Sequence, residues 1–366
     1  MKPIDLSKLQ TYPLSERKSM ASLEETLIDP ASTPQNLSPA NQEHITRCAA
    51  DIRSAREAGA SVMYIYGAHL IKNGAHLLLD ELMNGGWITH LATNGAGVIH
   101  DWEWAFHGQS TECVRSNVAT GTFGTWEETG HYLHLALLAG AIKDEGFGQS
   151  VGRMVTEDGL TLPSKAELEG QLRDEPAHPL APARAELLQA MTRHDLANGH
   201  HKIQHPWKSS CVLANAIKHN VPLTVHPGIG YDIISNHPMF NGAALGRAAQ
   251  LDFSTFGGSV EGLDNGVVLS VGSAIMGPQV FEKSISCVNN LRLQDDRPVV
   301  KDHSFYVVDI QEGGNWDWSQ GEPPKDNPAY YLRFCKSYDR MGGSMHYAQC
   351  DNIAFTHHLL NELKSL

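Results

Sequence analysis

No run of apolar residues in this chain of 366 approaches the length of a membrane-spanning helix. The opening stretch, MKPIDLSKLQTYPLSERK, lacks the apolar centre of a secretory signal. Neither membrane insertion nor export is expected. Basic residues are short as well: 28 Lys and Arg stand against 41 Asp and Glu, a formal net charge of −13 at pH 7. Nucleic-acid binding needs a basic footprint that displaces counterions from phosphates, so this balance argues against it, and against anionic membranes too. An acidic chain instead attracts cationic ligands such as amines. Cysteine is sparse and scattered, at Cys48, Cys113, Cys211, Cys287, Cys335 and Cys350, with no Cys-x-x-Cys pair. That removes the zinc-ribbon and thioredoxin-type motifs. Small thiols within apolar, helix-like stretches read as buried. A reduced cytoplasm is the expected setting.

What is present is ordinary globular chemistry, with 41% hydrophobic and 19% charged residues. Residues 1–37 are polar and read as an N-terminal arm. Residues 38–366 read as a single α/β domain with a Rossmann-like, doubly wound, mostly parallel sheet and helices on both faces. Ser38 and Pro39 predict a helix start, and Gly59 its stop. After that, SVMYIY, WITHLAT, VPLTVH, GVVLSV and SFYVVDI read as buried strands. Helical stretches such as AHLLLDELMN, VIHDWEWAF, SSCVLANAIKHN and QVFEKSISCVNNL alternate with them. About 156–200 is charged and proline-broken, and predicts a helical insertion. Gly313 to Asp326 reads as an ordered loop.

In such a sheet, ligands gather where strands end and helices begin. Four glycine-bearing turns fall there: GAHLIKNG, TNGAG, HPGIGYD and GSAIMGP. Glycine lets a backbone approach a ligand, and helix N-termini favour phosphate oxygens. None carries the full G-x-G-x-x-G pattern, because His100 stands where the third glycine after Gly95 and Gly97 belongs.

The order of these segments resembles the deoxyhypusine synthase superfamily, NAD-dependent enzymes with a Rossmann-like core. YGAHLIKNG resembles the family's turn of the type SNLISSG, and TNGAGVIHD, Thr93 to Asp101, its TTAGGVEED. SCVLANAIKHNVPL is similar to a later family helix and strand, HPGIGYDIISNH to its DGSLGD region, and LSVGSAIMGP to its glycine-rich strand end. The resemblance runs from Ser61 to Leu291 and implies NAD as cofactor. The implied contacts are Gly67, Ala68, His69, Thr93, Asn94, Gly95, Gly97, Asp101, Gly272 and Ser273. It also implies a homo-oligomer, a tetramer in related enzymes. The stretch that carries the family's imine-forming lysine reads Ala274-Ile275-Met276-Gly277-Pro278 here. Deoxyhypusine synthesis itself is therefore not expected.

Candidate catalytic residues are Lys72, His100, His226, Asp232 and His237. Lys72 is a possible Schiff-base amine or the start of a surface helix. The histidines suit proton transfer near neutral pH, and Asp232 follows the PGIG turn. Thr125-Trp126-Glu127-Glu128 reads as a capping box, which leaves Glu127 the freer of the two acids. His194, His200, His201 and His205 cluster in HDLANGHHKIQH, but without HExxH they read as solvent-facing or as cover, and no metal is expected. The leading expectation is an NAD-dependent enzyme that acts on an amine or another small polar metabolite by hydride transfer. A metal-dependent hydrolase built on the His-rich segments and a non-catalytic nucleotide-binding protein stand as alternatives.

Overall fold

The computed structural model describes residues 2–365. Contacts gather them into two compact units. The first holds Leu27–Gly97, His219–His226 and Phe253–Leu366; the second holds the residues up to Thr26, Val98–Lys218 and Pro227–Asp252. In chain order the main helices are α1 (Pro39–Glu57), α2 (His76–Asn84), α3 (Gly95–His107), α4 (Glu127–Ala141), α5 (Gly242–Glu261), α6 (Met276–Gln294), α7 (Arg333–Asp339) and α8 (Asn352–Lys364). The strands of the large sheet are β1 (Val62–Tyr66), β2 (His90–Asn94), β3 (Leu223–His226), β4 (Val267–Val271), β5 (Ser304–Asp309) and β6 (Ser344–Gln349).

The first unit is built on this sheet. Its strands lie in the order β3-β2-β1-β4-β5-β6, and every neighbouring pair is parallel. β1 and β4 are buried along their whole length, as continuous Val, Ile, Leu and aromatic runs require when both faces are covered. On one face the Tyr64 hydroxyl meets Thr356 of α8 at 2.6 Å, and the Tyr306 hydroxyl donates to Asp51 of α1 at 2.6 Å. On the other face Met63, Ile65, Val268, Phe305 and Val307 pack with Phe256 and Val260 of α5, Phe281 and Ile285 of α6 and Tyr338 of α7. Helices on both faces of a parallel sheet make the fold Rossmann-like and doubly wound. The strand order turns back between β1 and β4.

Five strands fall where the sequence predicts them. β6 does not come from a predicted strand: SMHYAQ mixes polar and apolar residues because it lies at the sheet edge, yet it pairs with β5 from Ser344 opposite Ser304 to Gln349 opposite Asp309. Ser38 caps α1 by accepting the Asn41 N–H at 3.2 Å, and Gly59 adopts the left-handed φ of 70° that ends it.

The second unit has its own core, centred on α4, whose residues from Leu133 to Ala141 are all buried. The expected helices in the 156–200 stretch are present at Lys165–Asp174 and Ala181–Arg193. They are flanked by an antiparallel pair, Gly159–Leu162 with Gly199–Lys202, that the sequence reading leaves out. Residues 98–218 belong to this unit. The N-terminal arm is folded. Ala21–Ser22 pairs with Gln109–Ser110, Leu14 is buried, and Arg17 makes a buried ion pair with Glu103 at 2.6 Å. Among the described residues, no helix is long and apolar enough to cross a membrane.

Candidate functional site at the carboxyl edge of the sheet

The reversal of strand order brings two glycines together. Gly67 follows β1 and donates its N–H to Val271 at 3.3 Å; Gly272 follows β4 and donates to Val308 at 2.9 Å, so the ladder runs into both turns. A Cβ on Gly67 would stand 2.2 Å from the Gly272 carbonyl oxygen. Gly272 has φ of 61°, and a Cβ there would lie 2.3 Å from the Asn352 amide nitrogen. The two turns pack backbone against backbone, which only glycine allows.

Two long helices open onto the same edge. α3 starts directly after β2, and α6 starts shortly after Gly272. Asn94 caps α3 by accepting the Gly97 N–H at 2.9 Å, and Ser273, in the turn before the Ile275 N-cap of α6, accepts the Gly277 N–H at 3.1 Å. Thr93 donates to the Tyr66 carbonyl at 3.1 Å, and a Cβ on Gly97 would stand 2.2 Å from its Oγ1. The side chains of Thr93, Asn94 and Ser273 thus brace the turns, and what they leave for a ligand is backbone and helix dipole. Gly95 is buried at the head of α3. On the short helix Ala68–Lys72, Ala68 and Lys72 are half-buried and His69 is exposed. Ile275 and Ile310, which follow the adjacent strands β4 and β5, are 75% and 71% exposed.

His226 ends β3 and is buried. Its Nε2 lies 3.2 Å from the Thr224 hydroxyl, which lies 2.9 Å from His90 Nε2, and His90 Nδ1 lies 2.8 Å from the Ser259 hydroxyl. Burial pushes His226 down to about 4; burial and then the charge of His226 push His90 down to about 3. Both rings are neutral at neutral pH. His226 is legible in the sequence from its place at a strand end; His90 and Thr224, within their strands, carry no such signal.

The remaining candidates lie in the second unit. His100 Nδ1 meets Ser110 Oγ at 2.7 Å, and that hydroxyl donates to Glu103 at 2.6 Å. Asp101, expected as a cofactor contact, has its carboxylate on another helix end. It accepts the N–H groups of Val212 and Leu213 at 2.9 and 2.8 Å and the Cys211 thiol at 3.3 Å. Burial, against those hydrogen bonds, raises its pKa to about 6. Asp232 is buried and accepts the Gly228 N–H at 2.8 Å within its own turn. His237 accepts the Met239 N–H at Nδ1, 3.1 Å, and its Nε2 lies 3.3 Å from Glu127. The capping box at Thr125 does not form: Trp126 is the N-cap, and the Glu128 carboxylate instead accepts the Leu14 N–H of the folded arm at 2.6 Å.

The His-rich stretch disperses. His205 is buried and accepts the Trp102 N–H at 3.1 Å, while His200 and His201 ride on the hairpin. Among the described residues no group of three or more His, Cys, Asp or Glu is placed to hold a metal ion.

No protein-family model matches this chain, and no curated protein matches it. Similar solved structures include unliganded AgrE, 14% identical, covering 90% of this chain and 34% of AgrE at a TM-score of 0.46. A "conserved putative LOR/SDH protein" from Methanococcus maripaludis S2 is 16% identical, covering 92% of this chain and 73% of its own at 0.42. ArgZ, an arginine dihydrolase from the ornithine–ammonia cycle in cyanobacteria, is 14% identical, with 89% and 33% covered at 0.40. The chain spans about a third of the length of AgrE and of ArgZ. None of these three is a deoxyhypusine synthase.

Proposed function

We propose that the carboxyl edge of the sheet binds NAD and that the protein is an enzyme transferring hydride to or from a small polar metabolite, an amine foremost. The observation that carries this reading is the contact of Gly67 with Gly272 at the reversal between β1 and β4. In doubly wound sheets a dinucleotide lies across the crevice at that reversal. The N-termini of α3 and α6 suit a pyrophosphate, and Gly67, Gly95, Gly97 and Gly272 keep the approach free of side chains. Exposed Ile275 and Ile310 suit the flat face of a ring. One departure from the dinucleotide pattern is Asn94 at the end of β2, where an acid would hold a ribose hydroxyl; its oxygen is taken by the Gly97 N–H.

When bound, NAD supplies the hydride chemistry. The protein's part is to hold the turns rigid and to keep His226 neutral as a proton acceptor at a strand end. The net charge of −13 favours a cationic amine. No lysine lies between Ala274 and Pro278, so an imine-forming step at that position is not part of the reading; Lys72, half-buried one turn after β1, is the amine to examine. Assembly into a homo-oligomer belongs to the same proposal and rests on the family resemblance.

The test is a screen of amines, amino acids and alcohols with NAD, followed by the near-ultraviolet absorbance of the reduced nicotinamide. An amine should give a rise that slows several-fold when deuterium replaces hydrogen on the carbon bearing nitrogen. Protein that binds NAD but reduces none of it in the presence of these substrates contradicts hydride transfer.

A further inference from the structure

We infer that Glu127 and His131 form an acid–base dyad in the second unit, with His131 Nε2 placed to take a proton from a hydroxyl or ammonium group of a small molecule. The two residues open α4, one turn apart, and so share a face. Glu127 Oε1 lies 3.1 Å from His131 Nδ1. Glu127 Oε2 accepts the Thr11 hydroxyl at 2.5 Å and faces His237 Nε2 at 3.3 Å.

The proton positions follow from the hydrogen bonds. His237 Nδ1 accepts the Met239 N–H, so in its neutral form the ring carries its proton on Nε2 and donates it to Glu127. That ring is fixed: it lies so close to α4 that a Cβ on Gly130 would stand 2.4 Å from it. Three donors and the positive end of α4 hold Glu127 ionised. The hydrogen bond from His131, then that from His237, keep its carboxyl well below the usual range against partial burial. An ionised carboxylate can only accept, so His131 Nδ1 must donate. The neutral His131 ring therefore presents its lone pair at Nε2. Its side chain is 28% exposed, which leaves it within reach of a small molecule.

A carboxylate that fixes the tautomer of an imidazole and then stabilises the imidazolium is the arrangement general-base catalysis uses. The proton passes from the O–H or N–H of the bound molecule to Nε2, and the new cation pairs with Glu127; nothing is oxidised. The other titratable groups around the ring are Glu128, Tyr132 and His134 on α4, His237, and His194, which senses both His131 and His237. Tyr132 flanks His131 edge-on at 5.2 Å, and burial with Glu128 and Glu127 keeps its phenol protonated. The inference stands whether or not NAD binds.

The experiment uses p-nitrophenyl acetate as a probe. Water, its proton taken by Nε2, attacks the ester carbonyl; acetate and p-nitrophenolate leave. His131→Gln and Glu127→Gln should each lower the second-order rate about a hundredfold or more, the lower reach of general-base catalysis, while circular dichroism shows both variants folded. His200→Gln, on the exposed hairpin, should not change it. Equal rates in wild type and His131→Gln overturn the inference, and a loss confined to His131→Gln overturns the role of Glu127. Nitrogen NMR of the rings gives a second reading independent of turnover. Neutral His131 should be the Nδ1–H tautomer in wild type and shift toward Nε2–H in Glu127→Gln. A wild-type Nε2–H tautomer overturns the dyad.

Discussion

A Cβ on Gly67 would stand 2.2 Å from the carbonyl oxygen of Gly272. The obstacle is backbone, held in turn by the Gly272 N–H bond to Val308, so it cannot swing aside as a side chain would. Gly67→Ala should cost about 1–3 kcal/mol, the usual penalty of overpacking. Gly170 makes the contrast: it lies inside the helix Lys165–Asp174 with nothing near its Cβ position. Gly170→Ala should stabilise by roughly 0.5–1 kcal/mol through helix propensity. Urea unfolding of the two variants reads both signs.

Arg17 and Glu103 form an ion pair with each side chain only 1% exposed. Glu103 also accepts Ser110 and Thr129, and Arg17 holds its carboxyl below the usual range against burial. Arg17→Met leaves that charge buried and should cost roughly 3–5 kcal/mol at neutral pH. A lowered folded pKa gives stability that is present above the unfolded value and lost as pH falls through the folded one. The penalty of Arg17→Met should therefore shrink in acid, where Glu103 can take a proton. Denaturant melts at neutral and acid pH measure this, and a penalty that does not change with pH contradicts it.

Asp101 behaves in the opposite sense. Its pKa is raised to about 6 by burial, above an unfolded value near 4. Between those values the folded chain holds the proton more tightly, so stability falls as pH rises through the window, by roughly 3 kcal/mol in all. Asp101→Asn should lose one hydrogen bond to the Val212 end above about pH 6, where the carboxylate accepts both N–H groups, and should flatten that slope. Chemical denaturation in steps across pH 4 to 7 checks the difference.

The first five sheet strands were legible because burial on both faces demands unbroken apolar runs, as in Val62–Tyr66 and Val267–Val271. β6 was not, since an edge strand needs only one covered side and Ser344, His346 and Gln349 dilute its pattern. The glycine turns were visible as turns, but the sequence could not show that Gly67 and Gly272 touch, because that depends on the order in which strands lie. The bonds that Asn94, Ser273 and Asp101 accept from backbone N–H groups at helix starts depend on the folded chain. His237 and Glu127 stand 110 residues apart, so their meeting is not legible in the sequence. The burial of the arm is not legible in the sequence because Leu14 and Arg17, the residues it buries, are isolated among polar neighbours.

A dinucleotide site at the reversal of strand order is tested by a thermal-melt titration with NAD. At one hundred times its dissociation constant the ligand should add about 2.7 kcal/mol, a rise of a few degrees for a chain of this size. A saturable upward shift is the predicted result. No shift at millimolar NAD would contradict it and leave the carboxyl edge without the ligand its geometry suits.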